Sequence, residues 1–228
     1  MWEEWSSSFP WGASYKRRCA TGPIGCGREA KVVGALLRVK GPFLDAIVLA
    51  GGRGVRLGGA DKAAVVLGGR ALLDRVLDAV GGAGIVVVVG PRRAAARAVT
   101  WAREEPPDGG PVAGIAAALP LISADLVAVL AVDLPFVEAG HVGALARRAA
   151  GHDGALLVDE EGRDQPLAAV YRSNVLRAAV DRLDGVHGAS VSALVGSLDL
   201  ARVAGGRAAW DCDTPEDVAT AERALLGR

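Results

Sequence analysis

Leu49-Ala50-Gly51-Gly52-Arg53-Gly54-Val55-Arg56-Leu57-Gly58-Gly59-Ala60-Asp61-Lys62 concentrates glycines and cations in one short stretch. Glycines let backbone N–H groups converge on one oxygen-rich ligand, and Arg53, Arg56 and Lys62 can neutralise its charge. A triphosphate fits that description. Two familiar phosphate motifs do not: a Walker A loop needs Gly-Lys-Ser/Thr, whereas Lys62 follows Asp61 and precedes Ala63. A dinucleotide fingerprint starting at Gly52-x-Gly54 would need a third glycine at position 57, which is Leu, and the second strand ends at Gly90-Pro91 without an acidic residue for a ribose.

Two further segments carry carboxylates to places where a ligand would sit. Asp133, in Ala131-Val132-Asp133-Leu134-Pro135-Phe136, closes a long apolar run, a position from which it can hold Mg²⁺. Asp213, in Asp211-Cys212-Asp213-Thr214-Pro215, stands just before a helix start. Alone, the first would read as a turn device and the second as an acidic group at a helix dipole. Together with the glycine loop they supply both anion binding and a metal site. His141, His152 and His187 are scattered and read as surface residues without a catalytic role.

The elements around these segments alternate. Leu44–Leu49 reads as a buried strand and 71–80 as an amphipathic helix. Residues 85–89 form a second strand, 91–99 a helix opened by Pro91, and 100–103 a short strand. An apolar helix spans 111–122, a long strand 126–132 and a helix 138–150. Residues 155–158 and 166–171 flank the polar turn Asp159-Glu160-Glu161-Gly162 as a hairpin. Helices follow at 174–183 and 191–198, a short strand at 207–210, and a closing helix at 217–226 with Thr214 as its cap. The expected architecture is a single three-layer α/β domain: a mainly parallel, Rossmann-like sheet, helices on both faces and a small β-hairpin insertion. Ligands then bind beyond the carboxyl ends of the strands, where all three segments lie.

Composition narrows the classes. The chain has 228 residues, 51% of them hydrophobic and 23% charged, which excludes disorder of the whole. Lys+Arg and Asp+Glu are both 26, so the broad basic field of a nucleic-acid-coating protein is missing and anion binding must be local. After Lys40 the only lysine is Lys62. Cys19, Cys26 and Cys212 make no CxxC pair, so a cytoplasmic setting is expected, and no apolar run reaches the ~20 residues of a spanning helix. Residues 1–43, with Trp2, Trp5, Trp11 and a Lys16-Arg17-Arg18 cluster, lack any period and are expected to be a disordered extension or a mis-assigned start, leaving 44–228 as the domain.

Leu49 to Lys62 resembles the signature of nucleotidyltransferases that open with Leu-Ala-Gly-Gly and continue through Arg-Met-Gly to Asp-Lys, with Leu57 in place of Met. Within that superfamily the chain is most similar to the molybdenum cofactor guanylyltransferases. Gly110-Pro111-Val112-Ala113-Gly114-Ile115, Asp133-Leu134-Pro135-Phe136, Gln165-Pro166-Leu167-Ala168-Ala169-Val170-Tyr171 and Asp213-Thr214-Pro215-Glu216-Asp217 agree in order and spacing. The resemblance implies that Leu49, Ala50, Gly51 and Gly52 line the nucleotide, with Lys62 on its phosphates, Glu105 near the base and ribose, Asp133 on Mg²⁺ and Asp213 assisting. The implied reaction transfers GMP from GTP to the phosphate of molybdopterin, with Lys62 and Arg56 stabilising the departing pyrophosphate. Transient contact with other cofactor-biosynthesis or molybdoenzyme-maturation proteins is implied too. This chain departs from some members in carrying Gly90-Pro91 where they have Asn, and Glu105 where they have Asp. A cytidylyltransferase, a sugar-phosphate transferase of the same fold and a non-catalytic nucleotide-binding module are the alternatives.

Overall fold

The computed structural model describes residues 43–52 and 61–227. Strand β1 (Leu44–Leu49) is followed by a single 3₁₀ turn at Lys62–Ala64 and a two-stranded hairpin, β2 (Val66–Leu67) and β3 (Arg70–Ala71). That hairpin is absent from the sequence reading. Gly68 and Gly69 turn it with φ of 54° and 78°, the left-handed pair that a two-residue hairpin loop requires.

Helix α1 (Leu72–Ala79), β4 (Val86–Val89), β5 (Thr100–Ala102), α2 (Gly110–Ala118), β6 (Leu126–Ala131) and α3 (Ala139–Arg148) complete the first half. The second half holds β7 (Gly154–Val158), β8 (Asp164–Arg172), α4 (Ser173–Asp181), α5 (Val191–Val195), β9 (Leu200–Ala204) and α6 (Pro215–Leu225). Among the described residues the central sheet runs β5-β4-β1-β6-β8-β7-β9. Pairing is parallel from β5 to β6 and between β7 and β9, while β8 is antiparallel to both its neighbours. The expected three-layer α/β architecture and its hairpin are both present.

Period-two alternation splits the core into two layers. Ala46 and Val48 of β1 pack with Leu73, Val76 and Leu77 of α1 and Leu145 of α3 on one face. Ile47 and Leu49 point the other way, onto Val112 and Ile115 of α2, Leu176 of α4 and Leu194 of α5. Because both faces are covered, β1, β4 and β6 must be apolar almost throughout, the pattern that made them legible.

Three expectations need correction. Residues 91–99 are not helical: Arg93, Ala95, Arg97 and Val99 are half-buried while the residues between them are exposed. That is the alternation of extended chain, and Asp74 Oδ1 takes the Ala96 N–H at 2.9 Å where a helical carbonyl would have done so. An alanine-rich run has the propensity for helix, but no apolar stripe to bury, so tertiary contacts decide. Residues 207–210 are a 3₁₀ turn at Gly206–Ala209 rather than a strand. The strand lies just upstream as β9, parallel to β7, where Arg202 sits on the sheet edge and donates to Asp164 Oδ1 at 2.7 Å. A single charged residue inside a short edge strand conceals its period. The helix expected at 191–198 ends at Val195.

Candidate functional site

β1 and β6 run parallel in register, Leu49 opposite Ala131, so their carboxyl ends open on the same side. The extended chain beyond β6 stays tied to β1, because Val132 N–H donates to Leu49 O at 3.0 Å. This delivers Asp133 beside the start of the glycine loop. Its own carbonyl accepts the Cys212 N–H at 2.9 Å, which fastens the segment 211–213 alongside. Cys212 is buried, so the chain direction sends Asp211 and Asp213 outward together.

Asp213 is further fixed by the helix that follows it. Thr214 caps α6, and Asp217 completes a capping box: its carboxylate accepts from Thr214 N–H and Thr214 Oγ1, each at 2.8 Å, and from Asp213 N–H at 3.1 Å. The Thr214 hydroxyl is the largest of the influences holding the Asp217 carboxyl below its ordinary value; burial opposes it and the backbone N–H bonds assist.

Lys62 arrives from the opposite wall. Asp61 caps the 3₁₀ turn by accepting Ala63 N–H at 3.2 Å, and the Lys62 ammonium then reaches Asp133 Oδ2 at 3.0 Å and also bonds the Asp213 carboxylate. Desolvation pulls the Lys62 pKa down, but hydrogen bonds and charges from Asp213 and Asp133 outweigh it and leave it above 10.5. Lys62 is therefore a cation throughout the neutral range. Nearby, burial and the negative charge of Asp133 raise the Asp211 carboxyl, and burial pushes the Cys212 thiol up to about 12. Cys212 is thus a packing residue, not a nucleophile.

Lys62, Asp133 and Asp213 open onto a cavity of about 700 Å³. Leu49, Gly51 and Gly52 from the end of β1, Val89 from β4, and Gly110, Pro111 and Gly114 at the start of α2 form its floor, with Leu167 across from them. Gly114 has no room for a side chain at low cost, since a Cβ would stand 3.1 Å from Val89 Cγ1 and 3.3 Å from Leu49 Cδ2. Gly90 is more constrained: with φ of 141°, a Cβ would lie 2.9 Å from Ala50 C and from Gly51 N. The chain after β4 thus passes face to face with the Ala50–Gly51 backbone, and a side-chain-bearing residue there would need a different path.

Among the expected nucleotide-binding residues, Leu49, Gly51, Gly52, Lys62 and Asp133 line this cavity, whereas Ala50 is buried behind it, donating its N–H to Val89 O at 2.8 Å. Arg56 lies outside the described residues, as does Arg53. Glu105 is exposed and is not among the residues lining the cavity; Glu104 and Asp108 line it, linked by Asp108 N–H donating to Glu104 Oε1 at 3.2 Å. Two adjacent glutamates in an irregular loop carry no period, so spacing could not choose between them. Leu167 was legible only as part of its motif. A register shift of β8 against β7 at Leu156/Leu157 frees Pro166 and Leu167 from the ladder, and Tyr171 Oη donates to Pro166 O at 2.7 Å to fix the bulge. None of the three histidines lines the cavity; His141 Nδ1 accepts the Glu138 N–H at α3 and His152 pairs with Asp199.

A family model described as the MobA-like NTP transferase domain matches residues 46–201. The chain belongs to that family. It is 40% identical over 147 residues to a probable molybdenum cofactor guanylyltransferase of Opitutus terrae, covering 61% of this chain and 72% of the relative. A probable molybdenum cofactor guanylyltransferase of Natronomonas pharaonis is 32% identical over 196 residues, 78% of this chain and 96% of its own. Among solved structures, molybdopterin-guanine dinucleotide biosynthesis protein A from Archaeoglobus fulgidus superposes with a TM-score of 0.63 at 23% identity, over 81% of this chain and 100% of the other. The 2-C-methyl-D-erythritol 4-phosphate cytidylyltransferase from Thermus thermophilus superposes with a TM-score of 0.60 at 24% identity, over 80% and 98%. This MobA-like chain is a nucleotidyltransferase by family, and the two superpositions show that its fold is shared by enzymes named for different nucleotides. Among the described residues no helix is long and apolar enough to cross a membrane.

Proposed function

We propose that the protein transfers GMP from GTP to the phosphate of molybdopterin, releasing pyrophosphate, with Mg²⁺ as cofactor. The observation that carries this reading is the Lys62 ammonium, bonded to Asp133 and Asp213 on a cavity whose floor is the glycine-rich end of β1. The names of the guanylyltransferase relatives support guanine and the pterin acceptor.

Two carboxylates from separate segments suit a hard divalent cation, which commonly takes one or two protein carboxylates and completes its shell with substrate phosphates and water. No third His, Cys, Asp or Glu joins them in a metal-binding group among the described residues, in keeping with a metal that arrives with the nucleotide. Asp133 and Asp213 would hold it. When bound, Mg²⁺ supplies charge neutralisation across the reacting phosphates.

The chain's own residues then do the rest. The cavity lining at Gly51 and Gly52 would admit the nucleotide closely because no side chain intervenes. Lys62 exchanges part of its contact with the carboxylates for a triphosphate oxygen and stabilises the departing pyrophosphate. No general base is required, because a phosphate monoester acceptor is already ionised near pH 7 and transfer depends on in-line placement and charge.

Pyrophosphate release measured with GTP, CTP, UTP and ATP, with and without molybdopterin, tests the reading. Release with GTP that requires molybdopterin is expected. Preference for CTP would reassign the base, and nucleotide binding without release under any condition would overturn the enzymatic reading.

A further inference from the structure

Arg93 sits in the segment expected to be helical and found extended. In the extended chain it turns inward: its side chain is 15% exposed, against 49% for its partner Asp61. The guanidinium bonds the Asp61 carboxylate through Nη1, reaches Ala50 O through Nη2 at 3.5 Å, and donates from Nε to Pro91 O at 3.2 Å. Ala50 follows β1 on one side of the glycine-rich segment, and Asp61 caps the Lys62 turn on the other. One side chain from beyond β4 therefore touches both flanks.

We propose that Arg93 is a positioning residue that fixes the Asp61 cap against the end of β1 and so aims Lys62 at Asp133 and Asp213. Asp61 uses the same oxygen, Oδ1, for Arg93 and for the Ala63 N–H. Orienting that carboxylate orients the Ala63 N–H, one residue into the turn whose leading residue is Lys62. A planar guanidinium with five donors can satisfy a carboxylate and two carbonyls at once, and an ammonium cannot hold the same three directions. The next pair of contacts along the segment, Ala96 N–H to Asp74 and Arg97 Nη1 to Val80 O at 3.2 Å, anchors it to α1. Arg93 thus works from a fixed base. Its contribution to turnover rests on the triphosphate reading of the site, whereas the clamp itself does not.

The test separates the two. In nucleotide-free protein, hydrogen exchange of a peptide covering residues 61–67 is expected to speed up about tenfold in Arg93→Met and less in Arg93→Lys, while a peptide covering β4 keeps its protection. Unchanged exchange at 61–67 overturns the clamp. In kinetics, Arg93→Met and Asp61→Asn are each expected to lower kcat/KM for the nucleotide about tenfold, and the double variant no further than either single one. Additive losses overturn the shared pathway. Faster exchange with unaltered nucleotide kinetics would leave the clamp standing and overturn its role in aiming Lys62. If Arg93→Met does not fold, Arg93→Lys carries both measurements, since it retains the charge and loses only the fork.

Discussion

Asp45 lies near the start of β1 and Asp133 just past the end of its parallel neighbour β6, so the two stand at opposite ends of the sheet. Asp45, in β1, is fully buried, and its carboxylate accepts from Ile85 N–H at 2.8 Å, Ser123 N–H at 2.7 Å and Ala124 N–H at 2.8 Å, with Ser123 Oγ at 3.3 Å. Backbone donors saturate it, and it stitches the turns before β4 and β6 together. Asp133, beyond β6, is 17% exposed, lines the cavity and pairs with the Lys62 ammonium at 3.0 Å. Residue type is the same in both, so the partners set the role: fixed amides lock one carboxylate into structure, and an exchangeable cation leaves the other able to take a ligand.

Substitution at the cavity end should have the largest effect. Asp133→Asn and Lys62→Met are each expected to reduce pyrophosphate release by about 10³-fold, the scale of losing one preorganised charge at a reacting phosphate, with circular dichroism and Tm close to those of the parent. A large Tm drop with either would mean that Asp133 resembles Asp45 after all. Next comes the opposite end. Asp45→Ala strands buried N–H groups of residues 85, 123 and 124, and a loss of about 3 kcal/mol in urea unfolding is expected, with activity per folded molecule retained. Activity lost without stability would break the contrast from the other side.

Smaller effects sharpen it. Thr214→Ala removes the α6 cap and should cost about 1 kcal/mol while lowering turnover a few-fold, because the capping box also holds the Asp213 backbone. The acid limb of stability offers the finest test. Asp217 titrates below its ordinary 3.8, so its contribution is present above that value and is lost as pH falls through the lower folded-state pKa. Asp217→Asn should therefore be less stable than the parent at pH 6, and the gap should narrow as pH falls below 3.8. Lys62 gives the opposite sign: its raised pKa keeps its contribution intact up to about 10.5 and loses it above, so no Lys62 titration should appear in a pH–rate profile between 6 and 9.

The legible parts share one property. β1, β4 and β6 are covered on both faces and read as apolar runs broken only by Asp45, and α1 buries one clean stripe, so burial wrote their periods into the sequence. Lys62, Asp133 and Asp213 were also legible, because a lone lysine after a glycine loop and carboxylates at element ends are unusual in type and place. β9, the β2–β3 hairpin and the extended 91–99 segment were not. The hairpin has strands of only two residues, too short to show a period, while β9 and 91–99 are half-exposed and held by partners distant in sequence, such as Leu157 for Val203 and Asp74 for Ala96.

The sequence by itself determined the three-layer α/β fold, the carboxyl-end location of the candidate site and the family, since these follow from periodicity and from local motifs. Only the tertiary structure decided that Glu104 and Asp108 face the cavity instead of Glu105, that Leu167 enters it on a bulge, and that Arg93 turns inward to Asp61. Those outcomes depend on which side of an irregular segment meets its neighbours. A chain without a period carries no local record of that side; packing between segments far apart in sequence supplies it.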